Sequence, residues 1–146
     1  MLKLIGDGVL AIFRADDAAE ACRRALQAEA GLRLRQQALN TRRTAEGRPV
    51  TSVYLGLHIG DVFYGNIGSD ERLDFTVIGP AVNEVSRIEA MCRALDQDLI
   101  VSAAFAAAAR DSCDRLVSLG RYVLRGVRQP QELFTLVPRE PPAVQT

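Results

Sequence analysis

The sequence is short of the residues on which several common site types depend. It has a single histidine and three cysteines, Cys22, Cys92 and Cys113, an odd number at wide spacing with no CxxC pair. That argues against a disulfide framework and against a zinc centre, and it fits a reducing, cytoplasmic compartment. Net charge is lacking as well: 18 basic residues balance 18 acidic ones. With no Lys/Arg cluster interleaved with aromatics, nothing favours a nucleic acid as partner. Long apolar runs are missing too. The opening MLKLIGDGVLAIF is too short to cross a bilayer, is broken by Gly6-Asp7-Gly8, and lacks the basic leader and cleavage site of a signal peptide. No internal repeat and no membrane segment is visible.

What remains is the composition of one soluble globular domain: 146 residues, 48% hydrophobic and 25% charged. β-propensity begins at residue 2 with no polar leader, so the reading expects a domain whose first segment lies upstream of Met1.

Leu2–Ile5 and Val9–Phe13 read as strands around a Gly6-Asp7-Gly8 turn, a strong hairpin signal. From Asp16-Asp17 the pattern turns helical, with Ala18, Cys22, Ala25, Leu26, Leu32, Leu34 and Leu39 at helix spacing. Gly31 suggests a bend, and Gly47 with Pro49 ends the helix. Val50–Ile59 and Val62–Ile67 read as strands about Gly60-Asp61, and Gly65 suggests close approach of another backbone. A polar loop, Gly68–Arg72, leads to a strand at Phe75–Ile78 and a helix from Pro80 to about Leu95, proline being at home in a first helical turn. A brief strand at Ile100-Val101, a small helix at Ala103–Ala109 and strands at Leu116–Leu124 and Leu133–Val137 follow, then a proline-rich tail, Pro138–Thr146, that reads as disordered. Hairpins mixed with crossovers predict an α+β sandwich, its sheet mixed or mostly antiparallel with helices on one face. The domain is expected over residues 1–137.

In the segment LDFTVIGPAVNEVSR, Asn83 and Arg87 stand four apart, so on a helix they project from one face. A neutral donor beside a guanidinium suits an oxygen that becomes anionic, and arginine engages phosphate oxygens bidentately. Polar pairs at this spacing are more often merely solvated. Asp7, between two glycines at a tight turn, presents a carboxylate of the kind that ligates Mg²⁺ together with substrate phosphates, although Asp-Gly is also ordinary turn chemistry.

Three blocks in order, KLIGDGVLAIF, LHIGDVFYGNIG and DFTVIGPAVNEVSRIEA, resemble the catalytic domain of class III adenylate and guanylate cyclases over roughly residues 1–137. The resemblance implies a ferredoxin-like α+β fold and a reaction that makes a 3′,5′-cyclic nucleotide from a nucleoside triphosphate with release of pyrophosphate. It matches Asp7 to the second of the family's two metal-binding aspartates, which hold two Mg²⁺ or Mn²⁺ ions. Asn83 matches the asparagine that orients the ribose, and Arg87 the arginine that stabilises the phosphorus transition state. Lys3 and Thr76 match the pair that reads the purine. Lysine donating to the ring N1 and a hydroxyl accepting from the exocyclic amine complement adenine, so ATP is the expected substrate. Arg125, with Arg128 as alternative, matches a basic position near the triphosphate; both also suit a solvated turn.

The family builds its sites across a head-to-tail homodimer, so a second copy or a cyclase-like partner chain is implied, with a sensor or regulatory domain upstream. Two departures stand out. The block resembling FADIRGF that carries the first metal aspartate has no counterpart before Lys3, so the fold is expected to lack its first strand and first helices. Pro80-Ala81 also replaces the family's commonest Asp-Thr while preserving the spacing to Asn83. The leading expectation is an adenylate cyclase domain, active as a dimer when intact. The alternative is a catalytically inactive nucleotide-binding or dimerising module, and a GTP-specific enzyme is a third.

Overall fold

The computed structural model describes residues 2–67, 74–111 and 113–137, with backbone alone at 66–67 and 74–76. The loop Gly68–Arg72 and the tail Pro138–Thr146 named above lie outside the described residues. The chain divides into two compact units, Met1–Val53 and Tyr54–Thr146.

The first unit opens with an antiparallel hairpin of β1 (Leu2–Ile5) and β2 (Gly8–Ala11), in which Lys3 faces Leu10. Gly6 takes φ +58°, a left-handed conformation that glycine adopts without strain. Helix α1 (Ala18–Ala45) is capped by Asp17, whose carboxylate accepts from the Ala19 amide at 3.3 Å. It runs without interruption through Gly31, where a bend is expected from sequence. Its surface is laced by Glu20 with Arg23 and Arg24, and by Glu29 with Arg33, all at helical spacing. Cys22 and Ala25 are its buried residues, whereas Leu34 points outward.

The expected strand over Val50–Ile59 is much shorter. Only Leu55–Leu57 forms a strand, because the backbone before it is already engaged by α1. Asn40 both donates to the Thr51 carbonyl and accepts from its amide at 2.8 Å, Gln36 donates to the same carbonyl at 2.9 Å, and Arg33 donates to the Val53 carbonyl at 2.8 Å. A segment whose polar groups are satisfied by side chains has none left for a ladder.

In the second unit, strands β3 (Leu55–Leu57), β6 (Leu99–Ser102), β7 (Leu116–Tyr122) and β8 (Gln131–Leu136) form a mixed sheet in the order β3-β6-β8-β7. The β3/β6 pair is parallel and the others antiparallel. β4 (Phe63–Ile67) and β5 (Asp74–Ile78) make a separate antiparallel hairpin in which Gly65 faces Thr76. Helices α2 (Pro80–Ala94) and α3 (Ala103–Ala109) complete it, so the class is α+β with a mixed sheet, as expected. β6 is buried along its whole length, and Ile88 and Cys92 of α2 pack with Ile100, Leu124 and Leu133 to form the core. The close approach expected at Gly65 is absent, since among the described residues a Cβ there would meet open space. It occurs instead at Gly56, where a Cβ would lie 2.9 Å from the Glu89 amide nitrogen and 3.0 Å from the Val85 carbonyl oxygen. Glycine at that point lets α2 lie directly on β3.

Candidate functional site

Helix α2 starts abruptly. Its N-cap is Gly79 at φ 143°, a conformation side chains rarely adopt, and a Cβ there would come within 3.0 Å of the Asp61 carbonyl. Pro80 fills the first turn without wasting an amide donor. No side chain caps the turn and no acidic residue stands in it, so its positive end is uncompensated locally. Asn83 follows, exposed to solvent, and one turn on stands Arg87, half-buried. The two lie on one face of α2, as their spacing predicts.

The turn after β7 comes up beneath that face. Val127 closes it by donating to the Leu124 carbonyl at 3.0 Å, and Gly126 sits at its tip with φ +78°. The Arg87 guanidinium lies over Gly126, with Nη2 3.2 Å from the position a Cβ would take. The structure therefore brings Arg87 to the Leu124-Arg125-Gly126 turn, and Arg125 and Arg128, both exposed, flank Gly126 in sequence. A guanidinium on α2 resting on a turn that itself carries arginines suits a small polyanion.

The residue after Asn83, Glu84, meets the single histidine of the chain. His58, just past β3, is nearly enclosed, with its side chain 8% exposed. Nε2 lies 2.7 Å from Glu84 Oε2, and Nδ1 lies 2.7 Å from Ser102 Oγ. Burial pushes the imidazole pKa below its ordinary value, and the Glu84 carboxylate opposes that shift. A neutral ring facing a carboxylate must carry its proton on Nε2, so Nδ1 accepts from the Ser102 hydroxyl. Ser102 in turn caps α3 by accepting from the Phe105 amide at 3.1 Å. This Ser-His-Glu chain has the atoms of a hydrolytic triad but not the access: Ser102 is 1% exposed and its oxygen is committed to the cap. The signal available in sequence was that the chain's one histidine sits inside the block LHIGDVFYGNIG.

The remaining expected residues fall elsewhere. Lys3 is half-buried on β1 and Asp7 is exposed on the β1–β2 turn, both in the first unit. Thr76 occupies β5 opposite Gly65, and its side chain lies outside the described residues. Among the described residues no group of three or more His, Cys, Asp or Glu could hold a metal ion. None of the described helices is long and apolar enough to cross a membrane.

The family model described as adenylate and guanylate cyclase catalytic domain matches residues 1–138. Adenylate cyclase 1 of Rhizobium meliloti (strain 1021) is 33% identical over 116 residues, covering 76% of this chain and 17% of that protein. An adenylate cyclase of Anabaena cylindrica is 39% identical over 107 residues, covering 68% of this chain and 20% of that one. The chain thus spans about a fifth of the length of these relatives. In three dimensions it is similar to the adenylyl cyclase CyaB from P. aeruginosa, with a TM-score of 0.81 at 23% identity over 95% of this chain and 71% of that one. It is also similar to the guanylyl cyclase Cya2, with a TM-score of 0.75 at 25% identity over 99% of this chain and 73% of that one.

Proposed function

Since the chain belongs to the adenylate and guanylate cyclase catalytic-domain family, we propose that it supplies the transition-state half of a cyclase site that converts ATP to 3′,5′-cyclic AMP and pyrophosphate, acting as a dimer. The observation that carries this reading is the placement of Arg87 over Gly126, one helical turn from Asn83. In the reaction the ribose 3′-oxygen bonds to the α-phosphorus, the bond to the pyrophosphate oxygen breaks, and the hydroxyl proton leaves to solvent or a base. Asn83 holds the ribose so that the attacking oxygen is in line, which replaces an entropic search by a fixed geometry. Arg87 donates to the oxygens on phosphorus, where negative charge accumulates, and Arg125 neutralises the departing pyrophosphate.

Lys3 and Thr76 complement adenine, which is why ATP is preferred to GTP. Divalent Mg²⁺ or Mn²⁺ supplies charge neutralisation in this chemistry. Asp7 is the residue of this chain that would hold such an ion, and the steps assigned to the chain are those of its Asn, Arg and Lys side chains.

The test is cyclic AMP formation from ATP with Mn²⁺, measured on these 146 residues and on any longer protein that carries them. Arg87→Ala is expected to reduce turnover by about 10² to 10³, the usual loss for a donor to a developing anion. Unchanged turnover in that variant, or faster conversion of GTP than ATP, contradicts the proposal. The alternative is a catalytically inactive nucleotide-binding or dimerising module, which an ATP analogue bound by a chain that makes no product would support.

A further inference from the structure

Glutamate and arginine three or four apart on a helix ordinarily pair, and α1 shows it: Glu20 meets Arg23 at 2.6 Å and Arg24 at 3.2 Å, and Glu29 meets Arg33 at 3.2 Å. On α2, Glu84 and Arg87 have the same spacing and do not pair. The Glu84 carboxylate is turned to His58 Nε2 at 2.7 Å, and among the described residues Arg87 forms no ion pair, its guanidinium resting over Gly126. A tertiary partner diverts a helical pair elsewhere on α2 as well: Glu89 and Arg93 are four apart, but the Arg93 guanidinium lies 5.5 Å from the centroid of the Tyr54 ring.

We infer that His58 is a positioning residue that sequesters the Glu84 carboxylate and so keeps Arg87 uncompensated for an anionic phosphate. The inference rests on the reading of Arg87 given above. Its physical content is a competition. A carboxylate within reach of Arg87 would occupy the guanidinium fork and repel an incoming polyphosphate, so it must be held by another donor. His58 can do this because its own position is fixed from the other side: Ser102 Oγ holds Nδ1 at 2.7 Å while capping α3, which ties the ring to β6. The ring thus meets the Glu84 charge from α2 and the neutral Ser102 hydroxyl from β6. Gly60 allows the approach, since a Cβ there would lie 2.9 Å from the Ala81 Cβ and 3.3 Å from His58 Nε2.

A residue that merely supports the fold would not be rescued by removing the charge it guards. The experiment therefore compares His58→Ala, Glu84→Gln and the double variant, first by the NMR resonance of the Arg87 Nε–H and then by titration with inorganic triphosphate. In His58→Ala the Arg87 resonance is expected to shift and triphosphate affinity to fall by about three- to tenfold, the range of a partly exposed ion pair plus a like charge. Glu84→Gln should bind within about twofold of the wild type, and the double variant should recover both the resonance and the affinity. An Arg87 resonance unmoved by His58→Ala, or a double variant as weak as His58→Ala, overturns the inference. Should His58→Ala fail to fold, Glu84→Gln alone decides. It must lower the pKa of the chain's single histidine, whose resonance needs no assignment, and an unchanged titration refutes the contact. Wild-type protein that ignores triphosphate and makes no cyclic nucleotide would sink the functional reading, while the Arg87 and histidine resonances would still judge this one.

Discussion

At the scale of single residues, two positions translate directly into measurements. Gly126 combines φ +78° with an Arg87 guanidinium 3.2 Å from the place of a side chain. Gly126→Ala is expected to destabilise the protein by about 1–2 kcal/mol from the left-handed backbone alone, and to lower turnover by displacing Arg87. Urea unfolding separates the first effect, and a kinetic assay the second. His58 gives a pH dependence. Its folded-state pKa is lowered from 6.5 by burial, with Glu84 opposing, so between the two values the unfolded chain binds more protons than the folded one. Stability is then fully present above about pH 6.5 and is lost as the pH falls through the lower, folded-state value. Urea midpoints should drop over that window before most carboxylates titrate, and Glu84→Gln should deepen the drop by removing the opposing charge. A midpoint flat across the window contradicts this.

At the scale of elements, α2 owes its position to small residues beneath it and to its unassisted start. Gly56→Ala would press a methyl group against backbone atoms of α2 at 2.9 and 3.0 Å, neither of which can swing aside. An overpacking cost of about 1–3 kcal/mol is expected, together with lost turnover because Asn83 and Arg87 move with the helix. Chemical denaturation of the variant checks the first. The helices themselves were legible in sequence because their signals are local: Asp17 caps α1, Pro80 opens α2, and Ala103–Ala109 reads as helix behind Ser102. Val50–Val53 has real β-propensity but lies outside strand β3. Its partners, Arg33, Gln36 and Asn40, are side chains on a preceding helix that no periodicity reveals.

At the scale of the whole molecule, the β1–β2 hairpin carries Leu2 at 75% and Leu4 at 80% exposure and pairs with no further strand among the described residues. An apolar strand with a free edge recruits another chain, so these 146 residues should self-associate with rising concentration. Light scattering should show that association, and Leu2→Lys with Leu4→Lys should reduce it. The sequence by itself determined the α+β class, the helix that carries Asn83 and Arg87, and the hairpin that carries Lys3 and Asp7, since hydrophobic period, caps and glycine turns act over a few residues. Tertiary structure alone decided which groups meet: Arg87 over Gly126, and His58 between Glu84 and Ser102. Those partners are distant along the chain, and what joins them is the packing of α2 on β3 and β6, which short-range pattern does not encode.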